Sequence, residues 1–273
     1  MRKFIFAAAF LAAVAPSKGE TIPEFVKVRA VAWDENAKAA GDKEWAVRVV
    51  AEVESAAKAG AEIIVFPEGF ARGRGVEAVL DGVKLAAGKD RLVIFAGAPH
   101  QDGKDSVSRA RFLSGGSWQW MDKLDLTPAE RAQKPPLKPG MRLPLLRFRG
   151  AVVAALPAYS LLKPEIAASL KKRGVSLVLV SAPADDELGR ARLLRAAAGR
   201  AVELGAAVLI APPASEAPSL HLPAQKGFDL KAPVPSGPDF LVPWKKLLEL
   251  RLKPDPAEPR PFLDPSPYYQ VEI

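Results

Sequence analysis

The sequence has no cysteine, only two histidines, three tyrosines and three methionines among its 273 residues. Without cysteine there is no disulfide, no thiolate metal site and no cysteine nucleophile. The histidines, His100 and His221, lie far apart in the chain, so no histidine-built metal centre is expected, and nothing else in the sequence calls for a metal or another cofactor. Neither charge is scarce: 39 Lys and Arg against 31 Asp and Glu leave a net +8. Such an excess suits nucleic acid or an anionic surface only when clustered. Here it is spread out, and the one short run, Lys171-Lys172-Arg173, ends a predicted helix without interleaved aromatics. It reads as a solvated helix terminus, not as a nucleic-acid patch. At 49% hydrophobic and 26% charged residues, the chain is able to bury a large core, which excludes disorder and fibre.

Long apolar runs are also missing. The run from Phe4 to Ala15 falls short of the roughly 20 residues of a spanning helix, so no stable membrane span is expected. Arg2 and Lys3 precede it, and Pro16, Ser17, Lys18 and Gly19 follow. Basic, apolar and small residues in that order form the pattern of a secretory signal; the alternative is a buried or amphipathic amino-terminal helix. The expectation is a signal peptide over 1–19, a secreted or periplasmic protein, and one domain over 20–273.

Beyond the leader, strand-length apolar runs alternate with amphipathic helix-length stretches, the pattern of an α/β domain. Strands are predicted over Val26–Trp33, Ala61–Phe66, Leu92–Ala98, Ser176–Ser181 and Ala206–Ala211. Helices are predicted over Asp42–Ala59, Val76–Ala87, Pro164–Arg173, Leu188–Leu204 and Pro243–Arg251. Ser106–Trp120 reads as two strands turning at Ser114-Gly115-Gly116, and Leu143–Leu156 as a second hairpin turning at Arg149-Gly150. After Ala211 prolines break the regularity, and this part is expected to wrap the surface without adding core strands, ending in an extended tail at Tyr268 and Tyr269.

Three residues draw attention to chemistry. Glu68 ends the apolar run Ile63-Ile64-Val65-Phe66-Pro67, where partial desolvation would raise its pKa and suit it to proton transfer. Taken alone, it reads equally as a carboxylate capping the next turn. Lys123, after Trp118-Gln119-Trp120-Met121-Asp122, reads alone as a surface lysine, and Glu130 as an acid in a helix's first turn.

Phe66-Pro67-Glu68, Asp122-Lys123-Leu124-Asp125-Leu126, Lys138-Pro139-Gly140 and Tyr159 to Glu165 occur in the order found in the nitrilase, or carbon-nitrogen hydrolase, superfamily. Arg200-Ala201-Val202-Glu203 resembles that family's Arg-Ala-(Ile/Val)-Glu stretch. The resemblance covers about Val26 to Ala211. It implies a four-layer α-β-β-α sandwich, no cofactor, a homodimer or protein partner, and a small amide-, nitrile- or carboxylate-like ligand. It also implies a general base at Glu68, an oxyanion-stabilising lysine at Lys123 with help from the Tyr159 amide, and a substrate-positioning acid at Glu130.

The family's cysteine does not carry over. Its Cys-Tyr-Asp-x-x-x-Pro-Glu pattern stands here as Ala158-Tyr159-Ser160-Leu161-Leu162-Lys163-Pro164-Glu165. Alanine offers no lone pair, so no thioester can form. Ser160 lies two residues on and reads as a serine pairing with turn backbone. Pro157 fixes the backbone just before the elbow. The sequence therefore points to a catalytically inactive, ligand- or protein-binding member. The alternatives are an amidase or nitrilase carrying an engineered Cys→Ala change, or weak hydrolysis by water that Glu68 activates.

Overall fold

The computed structural model describes residues 21–34, 41–71, 75–134, 136–183, 187–223, 237–252 and 269–272. The signal expected over 1–19 lies outside the described residues.

Two sheets form from the alternating pattern. In the first, the central strands are β1 (Val26–Ala30), β2 (Ile63–Val65) and β3 (Leu92–Asp102), all parallel. The antiparallel strands β4 (Asp105–Ser114) and β5 (Ser117–Asp122) follow, and β6 (Leu137–Lys138) pairs with the start of β4. In the second, the hairpin β7 (Arg142–Phe148) and β8 (Ala151–Pro157) is extended in parallel by β9 (Val175–Ser181) and β10 (Ala207–Ala211). Arg149 and Gly150 make the hairpin turn at φ 43° and 77°, the left-handed geometry that matches the twist of two-residue hairpins.

Residue alternation along the strands sorts the core into three layers. Val28, Ile63, Leu92 and Ile94 face Val153, Leu177, Leu179 and Leu209 across the space between the sheets. On the outer side of the first sheet, Ile64, Phe66, Val93 and Phe95 pack on α1 (Asp42–Lys58) and on α2 (Leu80–Ala87), which a 3₁₀ turn at Val76–Val79 precedes. On the outer side of the second, Ala154, Leu156, Val178 and Val208 pack on helices that follow β8 and β9. This is the expected α-β-β-α sandwich. Of the helices on that second face, α5 (Pro164–Lys172) and α6 (Glu187–Leu204) are the long ones; α3 (Pro128–Arg131) and α4 (Ala158–Leu161) are single turns beside the strand ends.

The stretch after Ala211 departs from the expectation of a surface wrap. Ser219–His221 forms β11 beside β10, and Asp239–Val242 forms β12 antiparallel to β1, with Phe240 and Val242 buried between the sheets. Helix α7 (Trp244–Leu252) buries Trp244, whose indole N–H donates to the Arg149 carbonyl at 3.0 Å. The nearest prolines, Pro218, Pro238 and Pro243, flank these strands, so neither ladder needs a proline N–H. The final strand β13 (Tyr269–Glu272) pairs with β7 in parallel.

Candidate active site

Parallel strands of an α/β sheet present the residues beyond their carboxyl ends to a common crevice. Here β2 delivers Glu68, β5 delivers Lys123, β8 delivers Ala158 and β9 delivers Ala182 and Pro183, all lining one cavity of about 590 Å³. Two bonds tie the sheets together at this level. The Ser181 hydroxyl donates to the Phe66 carbonyl at 3.0 Å, and the Glu68 amide donates to the Ala182 carbonyl at 3.2 Å. Around the segment that leads to Glu68, Phe66, Phe70 and Phe95 pack with ring centroids 4.8–5.0 Å apart, which fixes this end of β2 against the outer core.

Lys123 is not the surface lysine its local sequence suggests; only 7% of it is exposed. Its Nζ donates to Glu68 Oε1 at 2.5 Å and to Glu130 Oε1 at 2.9 Å. Its backbone is held on both sides, its N–H by the Ser108 carbonyl at 2.7 Å and its carbonyl by the Gly140 N–H at 2.8 Å. The glycine of Lys138-Pro139-Gly140 is required by this approach, because a Cβ there would lie 2.1 Å from the Asp122 carbonyl oxygen. The Asp122 side chain is taken by Arg109, at 2.6 and 3.2 Å, and turned away from the cluster.

Glu130 fills two roles at once. Its Oε2 accepts from the Thr127 N–H at 2.7 Å while the Thr127 hydroxyl accepts from the Glu130 N–H at 3.2 Å. This reciprocal capping box starts α3 and leaves Oε1 for Lys123. Glu68 is not a turn cap; burial, the largest influence on it, raises its pKa against the opposing pull of Lys123. For Lys123 burial works towards a lower pKa, but Glu68 and Glu130 together outweigh it and hold the ammonium above its ordinary value. One ammonium between two carboxylates stays charged, and the deeper carboxylate bears the cost of desolvation.

Ala158 opens α4 directly after Pro157, whose φ of −69° and ψ of 151° carry the strand into the helix. Tyr159, the second residue of α4, also lines the cavity, and its N–H is one that the first turn of a helix leaves without an internal acceptor. Lys163 sits over the Tyr159 ring at 5.0 Å. Arg200 donates from Nε to the Leu161 carbonyl at 3.2 Å and pairs with Glu203. The Arg-Ala-Val-Glu stretch thus clamps the end of α4.

All five residues singled out in the sequence, Glu68, Lys123, Glu130, Ala158 and Tyr159, line the same cavity. Ser160 does not. It is 1% exposed and lines a separate apolar chamber of about 40 Å³ shared with Ile94, Phe112 and Met121. Its hydroxyl has no hydrogen-bond partner among the described residues, which corrects the expected pairing with turn backbone. The helical turn takes the Ser160 carbonyl, as acceptor from the Lys163 N–H at 3.2 Å, and leaves the hydroxyl in a largely apolar chamber without a partner. The sequence reading also missed Arg190, Arg192 and Glu216 on the outer wall. Glu216 was hidden in the proline-rich stretch, and the two arginines read as an ordinary helix surface. Among the described residues no group of three or more acidic or histidine side chains could hold a metal ion, and no helix is long and apolar enough to cross a membrane.

A two-sheet sandwich flanked by helices, with a buried Glu–Lys–Glu cluster at its strand ends, defines the class: a nitrilase-type fold. The carbon-nitrogen hydrolase family model matches residues 28–221, and the chain belongs to that family. Among solved structures it is similar to a Cys→Ala mutant of the amidase from Nesterenkonia sp. AN1 in complex with butyramide, at 19% identity and a TM-score of 0.57, over 86% of this chain and 95% of that one. The amidase from Nesterenkonia sp. gives 20% identity and a TM-score of 0.55, over 75% and 92%. The glutamine-dependent NAD+ synthetase from Acinetobacter baumannii gives 17% and 0.57 over 69% of this chain, which spans 38% of that longer protein. No curated protein matches the sequence.

Proposed function

We propose that the chain is an exported member of the carbon-nitrogen hydrolase family that lacks the covalent nucleophile and binds a small amide- or carboxylate-type ligand without cleaving it. The observation that carries this reading is Ala158, which stands at the head of the elbow and lines the cavity that holds Lys123, Glu68 and Glu130. In the family's route a sulfur attacks the carbonyl carbon while a carboxylate takes its proton. A methyl group has neither the lone pair nor the proton, so Glu68 has nothing to deprotonate at the elbow.

The binding chemistry remains in place. An ammonium has three N–H groups, and Lys123 spends two of them on Glu68 and Glu130. The third, with the Tyr159 amide, is available to a ligand carbonyl oxygen. Glu130 has both oxygens engaged, whereas Glu68 uses Oε1 alone, leaving Oε2 for an amide N–H. The Nesterenkonia amidase supports the reading: a Cys→Ala mutant of that protein is described with butyramide bound, and a Glu→Leu mutant with a covalent adduct at its active-site cysteine.

The deciding experiment pairs calorimetric titration with turnover assays over short amides, nitriles and N-acyl amino acids. Saturable binding without hydrolysis is expected; turnover comparable to ordinary amidases overturns the reading. Export rests on the leader pattern and is tested by the amino-terminal residue of the protein recovered from the periplasm or medium, expected near Glu20.

A further inference from the structure

The cavity's polar groups divide by depth. Inside are Lys123, Glu68 and Glu130, with side chains 3%, 12% and 17% exposed. Outside, on the first two turns of α6, are Arg190, with its side chain 37% exposed, and the exposed Arg192. Glu216 stands on the same wall with its Oε2 3.4 Å from Arg190 Nε, and no other described residue reaches either guanidinium. Among the described residues three carboxylates and three cations line the cavity, but they are unevenly placed. Two of the carboxylates are bound to Lys123 inside, which leaves one carboxylate facing two guanidinium groups outside.

A ligand that seats its amide against Lys123 and Glu68 therefore meets a net positive wall at its other end. A guanidinium presents parallel N–H groups that match the two oxygens of a carboxylate. We propose that the cavity selects amides carrying a carboxylate at the far end, such as monoamides of short dicarboxylic acids, with Arg190 and Arg192 as the specificity-determining residues. This rests on the reading of the cavity as an amide-binding site and adds the chemical class of its ligand.

The test titrates the full-length chain with monoamides of four- to six-carbon dicarboxylic acids and with the neutral amides of equal chain length. At least one monoamide is expected to bind about tenfold more tightly than its neutral counterpart, the scale of hydrogen bonds to a charged group. That preference is expected to vanish in R190Q/R192Q and to shrink as salt rises. R195Q, an exposed arginine of α6 outside the cavity, controls for helix stability and is expected to keep the preference. Equal binding of the two series, or a preference that survives R190Q/R192Q, overturns the inference while leaving the amide-binding reading intact. Failure of both series to bind overturns both.

Discussion

The charged cluster and the elbow face one cavity from opposite sheets, yet they are held by different means. Lys123, Glu68 and Glu130 hold one another: the ammonium at 2.5 and 2.9 Å is what makes two buried carboxylates tolerable, and they in turn keep it charged. Removing Lys123 leaves two carboxylates without a counter-charge, and removing either carboxylate takes from Lys123 one of its two acceptors. The elbow is held by backbone. Pro157 sets its entry and Arg200 clamps the Leu161 carbonyl, while the Ala158 methyl adds only partly buried packing against the core of the second sheet. A charged cluster at a strand end thus supports itself whatever chemistry it serves, whereas the elbow side chain can be exchanged without leaving a charge unpaired. The presence of Glu68 and Lys123 therefore does not by itself imply cleavage, and the proposed loss of cleavage rests on Ala158 alone.

The sharpest way to break this contrast is to restore the sulfur. In A158C the introduced thiol enters the cavity that Glu68 and Lys123 line, so fluoroacetamide is expected to form a covalent adduct there, absent in wild type, as read by intact mass. Amide turnover is expected to rise on the order of 10⁴-fold, the scale on which nucleophiles contribute in covalent enzymes. No adduct and no gain in rate would show that the elbow itself, and not only its side chain, has left the reactive geometry. The next largest effect is on folding. K123M leaves two carboxylates facing each other in a buried site, and a loss of about 3–5 kcal/mol is expected in denaturant unfolding. A158C should shift the same measurement by less than about 1.5 kcal/mol, as a small change of side-chain volume. Equal losses would erase the distinction between the two regions.

How much of this was legible in the sequence follows the same division. Strand β9 is buried at every position from Val175 to Ser181, and its apolar run Leu177-Val178-Leu179-Val180 reads as a strand. The hairpin at Arg149-Gly150 announces itself by its turn chemistry. Glu68, Lys123 and Ala158 were legible through short motifs, because each lies just past a strand whose pattern is plain. What escaped depends on partners distant in the chain. β12 pairs Arg29 with Asp239, and no local signal distinguishes Asp239–Val242 from the proline-rich stretch around it. The burial of Lys123 is equally non-local, since its partner Glu68 lies 55 residues away. Ser160 sits in a helical turn beside a chamber lined by residues of five strands, β3, β4, β5, β8 and β9.

A smaller effect concerns protons. Burial raises the Glu68 pKa, so the folded chain binds that proton more tightly than the unfolded chain does. Stability is then greatest, as far as this group is concerned, at low pH, and declines as pH rises from the ordinary glutamate range through the folded pKa. E68Q has no such proton to lose. Its stability measured from pH 4 to 8 is expected to lack this decline while carrying a loss of about 1–2 kcal/mol from the missing charge-assisted bond. That loss is below K123M's because Lys123 keeps Glu130 at 2.9 Å. Parallel pH curves for wild type and E68Q would mean that Lys123 neutralises Glu68 fully.

The smallest effect tests whether Glu130 belongs to the cluster or to the helix. Thr127 and Glu130 close a capping box in which Glu130 Oε2 is fixed by the Thr127 N–H and Oε1 by Lys123. T127A removes the hydroxyl that accepts from the Glu130 N–H but leaves the Thr127 backbone amide in place. The expected cost is about 1 kcal/mol, that of a lost cap, with Glu130 still anchored at Oε2. The double variant T127A/K123M then separates the two roles. If the box positions Glu130 for Lys123, losing the lysine removes what the box was positioning, and the two costs sum to less than their separate values. If the box serves α3 alone, they add within about 0.5 kcal/mol, as independent sites do.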